Sequence, residues 1–248
     1  MSKIWIIARK DIQEALRSRS TYIYIGFLLV LSILSFSNFT TGLASVQGVE
    51  KTPAEILDYS RLYVNGSTYN MPLWFAVLMC TIFATYAVIL DKSKRSLESL
   101  MAAPVSLKQI WMGKALGVTL PSVVIALVAF VVAFLVLTFW KVLPATGSII
   151  FPEALPLITA LILTPLLIFA MVALVIYVQL VIANPRIANF VFTGFFVITF
   201  FSGTLLSGQS DKINFSLIYA GIIIICAGLA LILSRSLTRE RVLLSNKN

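Results

Sequence analysis

The residues best suited to catalysis are scarce in this chain. Its two cysteines, Cys80 and Cys226, lie inside long apolar runs, and there is no histidine. Cysteine–histidine metal sites and the nucleophile–histidine pairs of hydrolases are therefore excluded. The GxxxxGK[ST] pattern of a phosphate-binding loop is also absent. We expect no catalytic residue, metal site or cofactor site in this chain, and we expect both thiols to pack as small apolar groups.

The most informative polar spacing lies in the segment 91–114, which separates two apolar runs. Leu97, Leu100 and Met101 form a short apolar stripe at helical spacing. Pro104 disfavours helical geometry at the residue before it and is expected to end that helix. The first half of the segment therefore predicts a short amphipathic helix of about ten residues.

The second half of the same segment carries the signals of a helix start. Ser106 is followed three residues later by Gln109, which is the pattern of a capping box. Val105 and Ile110 occupy the two positions of a hydrophobic staple. Stop, cap and staple together favour a helix–turn–helix over the alternative, a solvated loop.

The composition indicates which solvent surrounds these elements. The chain has 248 residues, of which 59% are hydrophobic and 12% charged, whereas soluble domains carry about 25% charged residues. A membrane-spanning helix needs about 20 apolar residues. We predict an all-α polytopic membrane protein with six transmembrane helices, at 22–43, 71–90, 115–140, 156–182, 188–207 and 214–234.

The basic residues predict the orientation of these spans. Of the 19 Lys and Arg residues, only Lys51, Arg61, Lys141 and Lys212 fall outside if the N-terminus is cytoplasmic. Such an excess on one side is the positive-inside pattern. We therefore expect a multi-pass protein of the inner or plasma membrane, with both termini cytoplasmic. This pattern also accounts for the net charge of +9, so nucleic acid is not an expected partner.

Residues 1–20 combine charge with helical periodicity. One side carries Ile4, Ala8, Ile12, Ala15, Leu16 and Arg19, and another carries Lys3, Lys10, Glu14 and Arg17. This pattern predicts an amphipathic helix on the inner leaflet, in contact with lipid. The alternative is a signal peptide cleaved after Ala44, but Asp11, Glu14 and the 22-residue apolar run argue against it.

Two further features concern the flanks of the spans. The outer loop 44–70 predicts one short helix at about 53–63, started by Pro53, and leaves a cysteine substituted at Thr68 open to labelling from outside. At the base of the third span, Gly113 and Gly117 have the spacing that permits close helix contact.

No Asp, Glu, Lys, Arg or His lies within the six predicted spans. Proton relays and ion-coupled carriers need such groups, which disfavours a secondary transporter, although sodium sites can be built from backbone carbonyls. The chain also shows no energy source of its own. If it moves a substrate uphill, the energy enters from a partner, and the segment 91–114 is the expected point of entry.

This segment resembles the signature of the ABC-2 family of ABC-transporter permeases. In words, the signature runs acidic, basic, acidic, basic, Gly, Thr, Leu, Glu, x, Leu, Leu, x, x, Pro, Val, Ser, and later Gly-Lys. The matching residues are Asp91, Lys92, Leu97, Glu98, Leu100, Pro104, Val105, Ser106, Gly113 and Lys114. Ser93 stands in place of the second acid, and Arg95 in place of the glycine. Residues 7–19 also look like the amphipathic elbow helix that opens the family's chains.

The resemblance implies one transmembrane domain over residues 1–248, with the elbow helix at 1–20 and a coupling segment at 91–114. It implies two permeases paired around a path near spans 1 and 5, with ABC ATP-binding subunits beneath. Because six spans with no charged interior make a poor aqueous path alone, we expect the second permease to be another copy of this chain. ATP and Mg would belong to those subunits, and most members of the family export. The residues that would couple to the ATPase are Leu97, Glu98, Leu100, Met101, Pro104 and Ser106.

The uncharged spans predict an amphipathic or largely apolar cargo. Candidate polar contacts along the path are Ser32, Ser35, Asn38, Thr193, Thr199, Ser202 and Thr204, each of which could equally serve helix packing. The alternatives to an exporting permease are a non-transporting scaffold, a channel or a secondary transporter.

Overall fold

The computed structural model describes residues 3–35, 53–91, 104–182, 194, 215–235 and 237. Within these ranges the regular structure is helical and contains no strand. Apart from Gly194, the predicted fifth span at 188–207 lies outside the described residues, as do 92–103 of the segment 91–114. Six spans therefore stay a prediction, whereas the all-helical class is confirmed.

Six helices account for the described ranges, and three of them contain a π-helical stretch. They are α1 (Lys3–Arg17), α2 (Arg19–Ser35), α3 (Pro53–Ala84, continued by the π-helix Thr85–Leu90), α4 (Leu107–Leu137, the π-helix Thr138–Val142 and Leu143–Thr146), α5 (Ala154–Ile158, the π-helix Thr159–Leu163 and Thr164–Val181) and α6 (Phe215–Ser234). Gly147, at a φ of 68°, ends α4 in the left-handed conformation that glycine tolerates best.

Four of the helices are long and apolar enough to cross a membrane: α3, α4, α5 and α6. The apolar part of α2, Arg19–Leu31, is shorter within the described residues. Large apolar side chains such as Val124, Val128 and Val131 on α4 are exposed on the protein surface. Apolar side chains at this density are expected where lipid is the solvent. The chain is thus a multi-pass membrane protein.

The outer end of α3 corrects one expectation. A helix begins at Pro53 as predicted, but the expectation that it is short and ends near residue 63 is wrong, because α3 runs without a break from Pro53 through the predicted span at 71–90. Pro72 lies inside this helix without ending it. Thr68 is fully buried and its hydroxyl bonds to the carbonyl of Val64, so a cysteine there is shielded from labelling reagents.

Polar contacts connect the helices inside the apolar core. The Trp111 indole N–H donates to the carbonyl of Ala173 at 2.8 Å, which joins α4 to α5. The Thr159 and Ser216 hydroxyls are 2.7 Å apart, which joins α5 to α6. These hydrogen bonds stabilise the fold, because a polar group left unpaired in an apolar environment has a high free-energy cost.

Candidate functional site

The base of α4 contains a lysine that is fully buried. The Nζ of Lys114 lies 2.6 Å from Oδ2 of Asp91 and 3.4 Å from Oδ2 of Asp11, and it also donates to the carbonyl oxygen of Ala87. Its side chain has no exposed surface, and those of the two aspartates are 7% and 3% exposed. A charge buried this deeply needs charged and hydrogen-bonding partners. Lys114 therefore joins three elements, α1, α3 and α4.

The start of α4 explains where Lys114 stands. The Ser106 hydroxyl accepts the Gln109 amide N–H at 3.2 Å, and the Gln109 side chain accepts the Ser106 amide N–H at 3.1 Å. The predicted capping box is thus confirmed, and it begins α4 at Leu107. Lys114 lies two turns further on, inside the helix, although the sequence had placed it one residue before the predicted span at 115–140.

The partner residue Asp91 directly follows the π-helix of α3. This π-helix supplies both the Ala87 carbonyl and the position of Asp91, so two ligands of the ammonium group come from one turn. Short π-helical stretches are rare and occur frequently at functional sites. Tyr86, in the same turn, bonds to the hydroxyls of Ser18, at 2.7 Å, and Ser20, at the junction of α1 and α2.

The third partner of Lys114, Asp11, lies within reach because α1 crosses α4 at very close range. A Cβ atom placed on Gly113 would lie 2.9 Å from Cβ of Ile7, and one on Gly117 would lie 3.0 Å from Cβ of Asp11. Contacts this short mean that α1 would have to shift to accommodate even a methyl group at either glycine. The predicted close contact at this glycine pair is confirmed, and its partner is α1. The two glycines bring the Asp11 carboxylate to Lys114.

This packing changes the interpretation of the N-terminal helix. Residues 3–17 are helical as predicted, but Ala8 and Ala15 are buried within the protein, together with Ile7 and Asp11. These two alanines belong to the predicted apolar side of the helix, so part of that side packs against the protein. Leu16, from the same predicted stripe, is exposed. The location of the helix on the inner leaflet stays a prediction.

A second lysine completes the cluster, which we call the basal ion cluster: Lys10, Asp11, Asp91 and Lys114. Lys10 Nζ lies 3.4 Å from Oδ1 of Asp91, and it is partly exposed. Burial raises the pKa of the Asp11 carboxyl to about 6, and the nearby Asp91 adds to this rise while Lys114 opposes it. With both acids ionised, the four charges sum to zero, which suits a site with little access to water.

The same helix reaches the other end of the undescribed stretch 92–103. Lys3 Nζ donates a 2.6 Å hydrogen bond to the carbonyl oxygen of Pro104. Asp91 and Pro104 are the residues on either side of that stretch. Both are thus in contact with α1, through Lys10 and Lys3 respectively.

The predicted site residues fall into two groups. Pro104 and Ser106 are described, in a turn and at a helix cap respectively. Ser32 and Ser35 lie on α2. The others lie outside the described residues: Leu97, Glu98, Leu100 and Met101 of the coupling set, and Asn38, Thr193, Thr199, Ser202 and Thr204 of the path set. Their roles stay predictions.

Sequence reasoning missed the basal ion cluster. Asp91 and Lys114 match the signature and Asp11 lies within the elbow-helix pattern, but the sequence assigns none of the three a partner. Two signals were available. Asp11 has helical spacing to Ala8 and Ala15, which places a charge on an otherwise small, apolar face. Asp91 and Lys114 are opposite charges at the facing ends of two consecutive spans.

The fold and this site define a class of protein, a polytopic helical membrane protein with an ordered base. Comparison with protein families narrows this class. Residues 5–235 match the family described as ABC-2 family transporter protein. The match covers nearly the whole chain, which therefore belongs to the ABC-2 family and is a membrane permease of an ABC transporter. Searches of curated proteins and of solved structures gave no match.

Proposed function

We propose that this chain is the permease subunit of an ATP-driven ABC exporter. It forms the translocation path with a second permease, and separate ATP-binding subunits drive it. The observation that carries the proposal is the family match over residues 5–235. The basal ion cluster supports it, because two signature residues, Asp91 and Lys114, form a buried pair at the point where the chain leaves the membrane core.

The coupling segment 91–114 receives the motion of the ATPase in this proposal. Leu97, Leu100 and Met101 would contact a groove of the partner, and Glu98 would form a charge-assisted bond with it. Pro104 and the Ser106 cap support this role from the described side, because a capped helix that starts directly after the turn transmits a push better than a flexible loop.

ATP and Mg belong to the partner subunits in this proposal. Within the described residues, no group of three acidic, cysteine or histidine side chains is arranged to hold a metal ion. The acids of the basal ion cluster are engaged by two lysines. The role of this chain is thus to bind the ATPase, to receive its motion and to guide the cargo.

The path itself requires a second copy. The described parts of α3 and α5 are packed against each other and against α4, with Phe83, Leu167 and Ile176 fully buried. A core filled in this way leaves no aqueous passage between the described parts of α3, α4 and α5. We propose a homodimer whose path lies near spans 1 and 5, which carry the predicted polar contacts.

The cargo that fits uncharged spans is amphipathic or largely apolar. A lone charge at the bilayer centre costs at least ~2.5–3.5 kcal/mol. At the base of the spans, Lys114 and Asp91 neutralise each other, so neither is available to a bare ion. ATP-driven movement of a small inorganic ion would contradict this cargo class.

The test is reconstitution in liposomes with the ATP-binding subunit that co-purifies with the tagged chain. We expect two permeases and two ATPases in the complex, hydrolysis that depends on the permease, and ATP-dependent accumulation of an amphipathic fluorescent dye in inside-out vesicles. Hydrolysis that is unchanged without the permease would instead indicate a scaffold. Dye or ion flux that needs no ATP would indicate a channel or a secondary transporter.

A further inference from the structure

Both ends of the stretch 92–103 contact α1 and not only the helices that they continue. Asp91 accepts from Lys10 at 3.4 Å, and the Pro104 carbonyl accepts from Lys3 at 2.6 Å. Lys3 and Lys10 are seven residues apart, which is two helical turns and places them on one face of α1, about 10 Å apart along its axis. One helix therefore spans the gap between the two ends.

The helix that spans this gap is itself attached firmly. Its buried face packs on Gly113 and Gly117 so closely that a Cβ atom at either glycine would require the helices to shift. On the same face, Asp11 contacts the buried Lys114. Sliding or lifting α1 would separate Asp11 from Lys114 in a poorly hydrated place, which is unfavourable for both charges.

The buried lysine connects this attachment to the first end of the stretch. Lys114 contacts Asp11 of α1 and Asp91, and Asp91 in turn contacts Lys10 of α1. The junction of α1 with α2 is also held to the same π-helix, through Tyr86 and Ser18. A displacement of Asp91 is thus opposed by contacts to α1 at two places.

We propose that α1 is a brace that holds both ends of the stretch 92–103, so that α1, Asp91 and the base of α4 move as one rigid unit. Lys114 is the central positioning residue of this unit, and Lys3 positions its second end. This inference rests on the proposed function for its purpose, since the ATPase would push on that stretch. In this arrangement, a force that the ATPase applies to the stretch reaches α3 and α4 together, through α1.

The experiment measures the distance between spin labels on Gln13→Cys, which is exposed on α1, and Val105→Cys, next to the second end of the stretch. The background carries Cys80→Ala and Cys226→Ala, and the full-length chain is placed in lipid nanodiscs without any ATPase. We expect a narrow distance distribution in the parent. Lys3→Met should raise the population at other distances about two- to tenfold, the factor expected for the loss of one hydrogen bond, and Lys3→Arg should restore the narrow distribution.

Lys114→Met should broaden the distribution further, whereas Lys108→Met, which removes an exposed lysine of the same helix, should leave it unchanged. A broad distribution in the parent, or one that neither Lys3→Met nor Lys114→Met changes, would overturn the brace. In the complex with its ATPase, the parent distance should stay the same with and without ATP, and a shift would also overturn it. Because the first measurement needs no ATPase, its result is independent of whether the proposed function holds.

Discussion

The ammonium group of Lys114 lies 2.6 Å from the carboxylate of Asp91, and the lysine side chain is entirely shielded from solvent. The two residues stand at the facing ends of consecutive helices, with residues 92–113 between them in the chain. Breaking such a pair from one side leaves a buried charge without its main partner, which is far more costly than losing a surface pair. This relationship makes the base of the helices the place where single substitutions are most informative.

Lys114→Met is expected to lower the free energy of unfolding by ~3–5 kcal/mol, because it leaves two carboxylates facing each other. Asp91→Asn is expected to be similarly harmful. The double variant should lose less than the sum of the two, since no lone charge then remains from the pair. Denaturation in mixed micelles measures these values. Lys108→Met, at an exposed position of the same helix, is the control and should change stability by less than about 0.5 kcal/mol.

Asp11 gives the site a dependence on pH. Burial raises the pKa of Asp11 from 3.8 to about 6 in the folded protein. Between these two values the folded state holds more protons than the unfolded state, so the free energy of unfolding falls as the pH rises through this window. From pH 4.5 to pH 7, this one group should lower it by about 2 kcal/mol.

The comparison that isolates this effect is the parent against Asp11→Asn, measured at both pH values. The charged groups that face Asp11 are Lys114 of α4, Asp91 and Lys10, and all three remain in the variant. The parent should lose stability relative to Asp11→Asn as the pH rises from 4.5 to 7. A difference between the two proteins that does not change with pH would show that Asp11 has an ordinary pKa.

The glycine pair under α1 should tolerate no side chain. Gly113→Ala and Gly117→Ala place a methyl group 2.9 Å and 3.0 Å from Cβ of Ile7 and Asp11, and we expect each to cost ~1–3 kcal/mol through overpacking. Gly26→Ala and Gly221→Ala are matched controls in helices, because nothing lies within 4 Å of the added methyl. If unfolding measurements show that the control variants lose as much stability as Gly113→Ala and Gly117→Ala, the close crossing of α1 and α4 is contradicted.

The orientation of the chain can be tested with an impermeant thiol reagent on intact cells. Ser148, in the exposed turn between α4 and α5, is predicted to lie outside, and Ser148→Cys should therefore be labelled. Ser99→Cys, in the segment predicted to be cytoplasmic, should not be labelled until the membrane is opened. Labelling of Ser99→Cys in intact cells would reverse the orientation and remove the basis for contact with an ATPase.

Glu98 is expected to carry the contact with the ATPase. If it forms a partly buried, charge-assisted bond there, Glu98→Gln should weaken that contact by ~2–5 kcal/mol and abolish ATP-driven transport with dimerisation intact. A simple helix-surface pair with Lys94 would be worth only ~0.2–0.5 kcal/mol. Lys94→Gln is the matched control. If both variants transport the dye as well as the parent does, the segment is a solvated loop.

Pro104→Ala addresses the stiffness of the same segment, in the same liposomes. We expect the ATPase to continue hydrolysing ATP while dye accumulation falls, because the turn next to the Ser106 cap becomes flexible. A parallel loss of hydrolysis and accumulation would instead point to a failure of assembly.

Features that depend on neighbours in the chain could be read from the sequence. The Ser106 capping box joins residues three apart, so it can be recognised from the sequence without knowledge of the fold. The helical class follows from long apolar runs, because a chain in lipid must satisfy its backbone bonds within each helix. The Gly113–Gly117 spacing likewise predicted a close crossing, although it did not say which helix would cross.

The continuous start of α3 at Pro53 shows where local signals mislead. Polar residues such as Asp58 and Arg61 indicated an outer loop with a short separate helix, yet α3 continues through them. Its inner side, at Ser60, Val64 and Thr68, is buried by neighbouring elements. Tertiary packing stabilises a helix that its own polar composition does not favour.

The sequence by itself determined the helical membrane class, the predicted orientation, the cap at Ser106 and the resemblance to the ABC-2 family, because each depends on composition or on spacing along the chain. Only the tertiary structure decided what Lys114 does. Its contact with Asp11 joins residues 103 positions apart, and no periodicity encodes a pairing over that distance. The close crossing of α1 over two glycines is what brings the charges together, and burial is what makes their pairing necessary.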